Sequence, residues 1–188
     1  FNKDFIIAKN KIKYENAIPE CLLNAKKNNK PVILVSGHFG QWEAVRIMLK
    51  KNGFETGAIY RKNKNPFFES MYLKNIRLGG EPIFPAGLAG TKRMIKHLKA
   101  GGILALLLDQ AVSDGDDFKF FGLKAKTSMA IAELALKYDA SIVPCYGIRE
   151  QDGVSIRVVF EDPIRNDSPR NIIQSINDSL EARVRTNP

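Results

Sequence analysis

The sequence predicts an α/β layered fold: one domain with a central mixed β-sheet flanked by helices. Two observations lead there. Short apolar runs alternate along the chain with stretches of helical periodicity, joined by short connections. The 188 residues suit one domain with a sizeable core, and no composition shift, repeat or low-complexity segment divides them.

Taken in order, Ile18 to Lys27 reads as a helix, with Pro19 suited to its first turn. Pro31 to Val35 is a short buried strand. Gln41 to Lys51 is a helix that stops at Gly53. Thr56 to Tyr60 is a strand. Asn65 caps a helix with Pro66 at its first position, running to about Leu78. Pro82 to Phe84 is a short strand. Leu88 to Lys99 is amphipathic: Leu88, Met94, Ile95 and Leu98 share one side, and Gly101-Gly102 ends the helix. Ile103 to Leu108, the most apolar stretch, reads as a central strand. Asp109 to Lys126 reads as a long loop, and Thr127 as the cap of a helix through about Lys137. Ile142 to Gly147 and Ser155 to Phe160 read as strands, and Pro169 to Arg185 as the last helix.

Hydrophobic residues make up 44% and charged residues 26%, as in ordinary globular domains. No apolar run of about 18 residues is present, so none is long enough to span a bilayer as a helix. Cys21 and Cys145 lie in different predicted elements and read as small buried hydrophobes, which suits a reducing setting. The net charge of +9 points to acidic partners: anionic headgroups, phosphorylated substrates, an acidic carrier or nucleic acid. Its local clusters are Lys9–Lys13, Lys26–Lys30, Arg61–Lys64 and Lys92–Lys99, each of which also reads as a solvated face.

The most informative segment is Ser36-Gly37-His38-Phe39-Gly40-Gln41-Trp42-Glu43. On a straight helix, His38 and Glu43 would point roughly 140° apart, at about 100° per residue. They meet only if His38 lies in the turn and Glu43 in the first helical turn. Gly37 and Gly40 permit that turn and leave space above it. A carboxylate beside imidazole fixes the tautomer, which makes His38 a candidate general base for a hydroxyl.

Other residues carry two readings. Arg61 and Lys62 follow a strand end and read either as a solvated loop or as a clamp for phosphate or headgroup oxygens. Arg77 closes a helix, where the dipole favours a cation. Asp109 ends the central strand, at the strand edge where sites form in α/β sheets. Phe118, Phe120 and Phe121 are unusual in a loop; they pack inward or border a lipid. Asp114, Asp116 and Asp117 lack EF-hand spacing, so no metal site is expected. No nucleophile elbow, Walker sequence, dinucleotide fingerprint, zinc-finger spacing or RNA-binding aromatic motif is present.

The ordered blocks resemble the bacterial lipid A late acyltransferases of the lysophospholipid acyltransferase superfamily. Gly37-His38-Phe39-Gly40-Gln41-Trp42-Glu43 matches the His-x4-Glu signature. In order there follow Tyr60-Arg61 with Asn65-Pro66, Ile76-Arg77-Leu78-Gly79-Gly80, Asp109-Gln110, Phe120-Phe121-Gly122 with Thr127, and Ala140 to Pro144. The resemblance implies a glycerolipid-acyltransferase-like fold and catalytic roles for His38, Glu43, Arg77 and Asp109. It implies substrate contacts at Gly40, Arg61, Lys62, Phe121, Gly122 and Thr127.

The implied reaction moves a fatty acyl chain from an acyl-carrier-protein thioester, or acyl-CoA, to a hydroxyl of a Kdo-bearing, phosphorylated lipid A precursor. No further cofactor and no metal is expected. Expected partners are the acyl carrier protein, the lipid acceptor and a membrane surface, at the cytoplasmic face of the inner membrane. Family members carry an apolar N-terminal anchor and an aromatic, basic tail beyond an Asn-Pro like Asn187-Pro188, so residues 1–188 read as the catalytic core. The alternatives are an acyltransferase acting on a lysophospholipid or another glycolipid, and a basic nucleic-acid-binding module.

Overall fold

The computed structural model describes residues 12–15 and 17–187; Lys9 and Lys11 of the first basic cluster lie outside the described residues, as does Pro188. Among these residues the order is β1 (Ile12–Tyr14), α1 (Glu20–Asn28), β2 (Val32–Ser36), α2 (Glu43–Lys51), β3 (Thr56–Tyr60), α3 (Pro66–Ile76) and a 3₁₀ turn (Arg77–Gly79). Then follow β4 (Ile83–Pro85), α4 (Leu88–Lys99), β5 (Ile103–Leu107), β6 (Asp116–Phe120), β7 (Leu123–Thr127), α5 (Ala130–Tyr138), β8 (Ser141–Arg149), β9 (Ile156–Phe160) and α6 (Pro169–Thr186).

Seven strands form one sheet in the order β1-β9-β8-β2-β5-β3-β4, while β6 and β7 pair separately. Only β8 and β9 are antiparallel neighbours in the large sheet, so it is mixed, as the sequence predicts. β2 is buried along its whole length, and its side chains divide between two layers. Val32 and Leu34 meet Leu22 and Ala25 of α1 and Val45, Met48 and Leu49 of α2. Ile33 and Val35 meet Met94 and Leu98 of α4, Ala132 and Ala135 of α5, and Ile172, Ile173 and Ile176 of α6. A strand covered on both faces has no polar side, which is why it reads as a continuous apolar run.

Two predicted features differ. The segment read as one long loop contains the β6–β7 hairpin, closed by Phe121 (φ 52°) and Gly122 (φ 77°). Two successive left-handed residues fit the twist of a two-residue hairpin loop. Phe118 points into the core, while the neighbouring charges Asp116, Asp117, Lys119, Lys124 and Lys126 mask the strand pattern. Helix α6 satisfies the exposed edge of β6: Gln174 Oε1 accepts from the Lys119 N–H, and its Nε2 donates to the Lys119 carbonyl, both at 3.0 Å. Thr127 ends β7 rather than capping the next helix, which begins at Ala130, where the Ser128 hydroxyl accepts from the Ala130 amide. Strand β1, three residues parallel to β9, went unread because Lys13 interrupts its apolar character.

Candidate active site

The register of the sheet places the site. Ser36 at the end of β2 lies opposite Leu107 at the end of β5. Two residues beyond each strand, His38 and Asp109 therefore emerge side by side at the carboxyl edge, the side where α/β sheets bind ligands. Asp109 Oδ1 lies 2.8 Å from His38 Nδ1, and its Oδ2 accepts from the His38 backbone N–H at 2.6 Å. One carboxylate thus fixes both the ring and the turn that carries it. Trp42 meets the ring edge-on, with centroids 5.2 Å apart. The His38 side chain keeps 39% exposure and Asp109 20%, so the ring remains open to a substrate while its partner is largely shielded.

The turn is held by close backbone contact. Gly40 has φ +58°, and a Cβ there would sit 2.2 Å from the Gly147 carbonyl oxygen. A Cβ on Gly147 would likewise meet the Gln41 carbonyl oxygen at 2.1 Å. The Gln41 amide donates to the Gly147 carbonyl at 2.7 Å, so glycine at both positions lets the loop seat directly on β8. Gly37 leaves space that Leu180 of α6 fills, beside Asp109.

The carboxylate that meets His38 at Nδ1 is thus Asp109, from the neighbouring strand end. Glu43 lies buried in the first turn of α2, where its Oε2 accepts from Arg46 Nη1 at 3.2 Å. Arg46 is also buried and donates to the carbonyls of Ile76, Thr56 and Gly80, tying α2 to β3 and the turn after α3. Burial pulls its guanidinium below the ordinary arginine value, and Glu43 pulls it back.

Arg77 caps α3 and opens the 3₁₀ turn. Its Nε pairs with Glu81 at 2.9 Å, and its carbonyl accepts from Lys50 in the last turn of α2. Arg61 and Lys62 are exposed in the loop after β3, at the same sheet edge as His38. That loop is braced by Glu69, which accepts from the Asn63 amide and the Tyr60 hydroxyl. The Asn63 amide holds the Glu69 carboxyl below its usual range, and Tyr60 and Lys62 add to this.

Phe121 and Gly122 form the hairpin tip. The Phe121 ring packs edge-on against Phe120, its amide donates to Glu181, and the Arg185 guanidinium lies over it at 4.8 Å. Thr127 is buried and lines a small cavity with Asp109, Leu108, Phe120, Asn177 and Leu180. Asn177 and Leu180 were not singled out from sequence. The available signal was one polar residue in the row Ile173, Asn177, Leu180 of an otherwise apolar helix face.

A shielded carboxylate holding an open imidazole, in a glycine-framed turn at the carboxyl edge of a mixed sheet, is suited to activating a hydroxyl. The family model of the bacterial lipid A biosynthesis acyltransferases matches residues 8–188, and the chain belongs to that family. It is thus an acyltransferase of lipid A biosynthesis. No curated protein matches the chain.

Proposed function

We propose that the protein transfers a fatty acyl chain from an acyl-carrier-protein thioester to a hydroxyl of a phosphorylated, Kdo-bearing lipid A precursor. The observation that carries the mechanism is the 2.8 Å contact between His38 Nδ1 and Asp109. With the proton on Nδ1 donated to Asp109, the Nε2 lone pair is left to accept the proton of the acceptor hydroxyl. The alkoxide oxygen attacks the thioester carbonyl and forms a tetrahedral oxyanion. In this reading Arg77, or backbone N–H groups about Gly40 other than those of His38 and Gln41, which donate to Asp109 and Gly147, stabilises that charge. Collapse breaks the C–S bond, and the departing thiolate takes the proton from imidazolium. The ester product and free thiol leave His38 neutral again. Neither a metal nor a covalent enzyme intermediate takes part, and a CoA thioester would follow the same path.

In this reading Glu43 acts through Arg46, fixing the first turn of α2 beneath the site. Arg61, Lys62 and Lys64 meet acceptor phosphates and an anionic bilayer surface at the cytoplasmic face of the inner membrane. The exposure of Phe67, Met71, Leu88 and Leu123, on elements around the same sheet edge, supports approach to lipid from that side. Among the described residues no helix is long and apolar enough to cross a membrane.

The test is the full-length protein assayed with defined acyl-carrier-protein and CoA thioesters against lipid A precursors with and without Kdo, with products read by mass spectrometry. The expected product gains one acyl ester from the carrier-protein donor and requires Kdo. Acylation of a lysophospholipid in preference would overturn the acceptor assignment.

A further inference from the structure

Behind the His38–Asp109 pair, a cavity of about 60 Å³ lies between the end of β5, the β6–β7 hairpin and α6. Leu108, Phe120, Ala125 and Leu180 give it apolar walls, and Asp109, Gln110, Lys126, Thr127 and Asn177 supply polar ones. Asn177 is only 7% exposed, and its Nδ2 has no hydrogen-bond partner among the protein atoms. It continues the row that Ile173 and Leu180 form on α6, where an aliphatic side chain would pack. A buried amide donor is costly unless it is satisfied. A carboxylate offers about four acceptor positions. His38 uses one on each Asp109 oxygen, through Nδ1 and through its backbone N–H.

We propose that Asn177 is a positioning residue for the catalytic pair: its side-chain amide lines this cavity and, through solvent held there, is hydrogen-bonded to the Asp109 carboxylate. The volume suffices for ordered solvent, which needs roughly 10–15 Å³ per molecule and two or more polar partners. Asp109 is then held from both sides, by His38 in front and by the Asn177-linked solvent behind. This fixes the rotamer that receives the Nδ1 proton. In this inference Asn177 acts through Asp109, so its removal changes the rate of the chemical step and leaves substrate affinity alone.

The inference rests on the acyl transfer proposed above, and its test separates the two. Full-length Asn177→Leu, which fills the cavity with an aliphatic group, is compared with Asn177→Ser, which keeps a hydrogen-bonding group and room for solvent. Thermal melts confirm that both are folded. Outer hydrogen-bonding partners that orient metal-ligating histidines are worth about 10-fold or more in activity, and the same scale is expected for one that orients Asp109. Asn177→Leu is expected to lose about that much in kcat with KM for both substrates unchanged, and Asn177→Ser to recover most of it. The chain has two histidines, so the His38 Nδ1–H proton signal is assignable by its loss in His38→Ala. That signal should broaden in Asn177→Leu and persist in Asn177→Ser. Wild-type kcat in a folded Asn177→Leu protein, or a change confined to KM, would overturn the inference. Lack of acyl transfer by the wild-type protein would instead overturn the proposed function, and the proton signal would still report on Asn177.

Discussion

His38 is useful only while its Nδ1 is occupied, because the second nitrogen of a neutral imidazole is the acceptor. His38→Ala should lower kcat by roughly 100-fold or more, the usual worth of a general base. Asp109→Asn should cost a comparable factor, since an amide no longer enforces the productive tautomer. Steady-state kinetics on folded variants decide this, and wild-type turnover in either would remove that residue from the mechanism. The cysteines behave differently from a catalytic thiol. Burial pushes the Cys145 thiol far up, its Sγ lies 3.7 Å from the Val35 carbonyl, and Glu161 adds to the shift. Cys21 is half-buried and also raised, chiefly by desolvation. A raised thiol pKa means little thiolate below it, so at pH 8 iodoacetamide should label Cys21 slowly. It should label Cys145 only after unfolding in guanidinium. Rapid native labelling of Cys145 would contradict its burial in the sheet.

At the scale of elements, the site depends on two joints. In the first, the turn after β2 is pressed on β8. Gly40→Ala combines a left-handed backbone with a Cβ driven against an immobile carbonyl. It should cost roughly 1–3 kcal/mol and depress activity, as urea unfolding and turnover would show. In the second, α2 is fastened to β3 and the turn after α3 by the buried Glu43–Arg46 pair. Removing one member of a buried pair takes the opposite charge from the other. Arg46→Ala should therefore lose about 3–5 kcal/mol, and the Glu43→Gln, Arg46→Ala double variant less than the sum of the singles. Strict additivity would show that the two side chains do not act together. The helices and buried strands were legible because their periods are simple. The hairpin was not, because its charged residues alternate with Phe118 and Phe120 on strands that bury only one face.

On the scale of the whole molecule, charge and exposed apolar groups share the site's edge. Arg61→Ala with Lys62→Ala should raise KM for a phosphorylated acceptor, most strongly at low salt, because exposed charges are screened over about 10 Å at 0.1 M. An unchanged KM across the salt range would leave that loop a solvated surface. Phe67→Ser with Leu88→Ser should reduce activity on vesicles of anionic lipid more than on detergent-dispersed acceptor. Each buried large side chain is worth about 1.5–3 kcal/mol at such an interface. An equal loss in both assays would mean that these side chains serve something other than the bilayer.

The sequence by itself determined the layered α/β fold, the strand that ends at His38 and the chemistry available in its glycine-flanked turn. These follow from local rules: apolar periodicity, helix punctuation and the conformational freedom of glycine. It also marked Asp109 as a strand-end acid. Only the tertiary structure decided that Asp109, 71 residues away along the chain, meets His38, while Glu43 turns to Arg46. The physical reason is register. β5 inserts between β2 and β3, and the pairing of Ser36 with Leu107 carries the next residues of both strands to one point. Sequence separation holds no record of which strands become neighbours, so the partner of a catalytic side chain is a property of the assembled sheet.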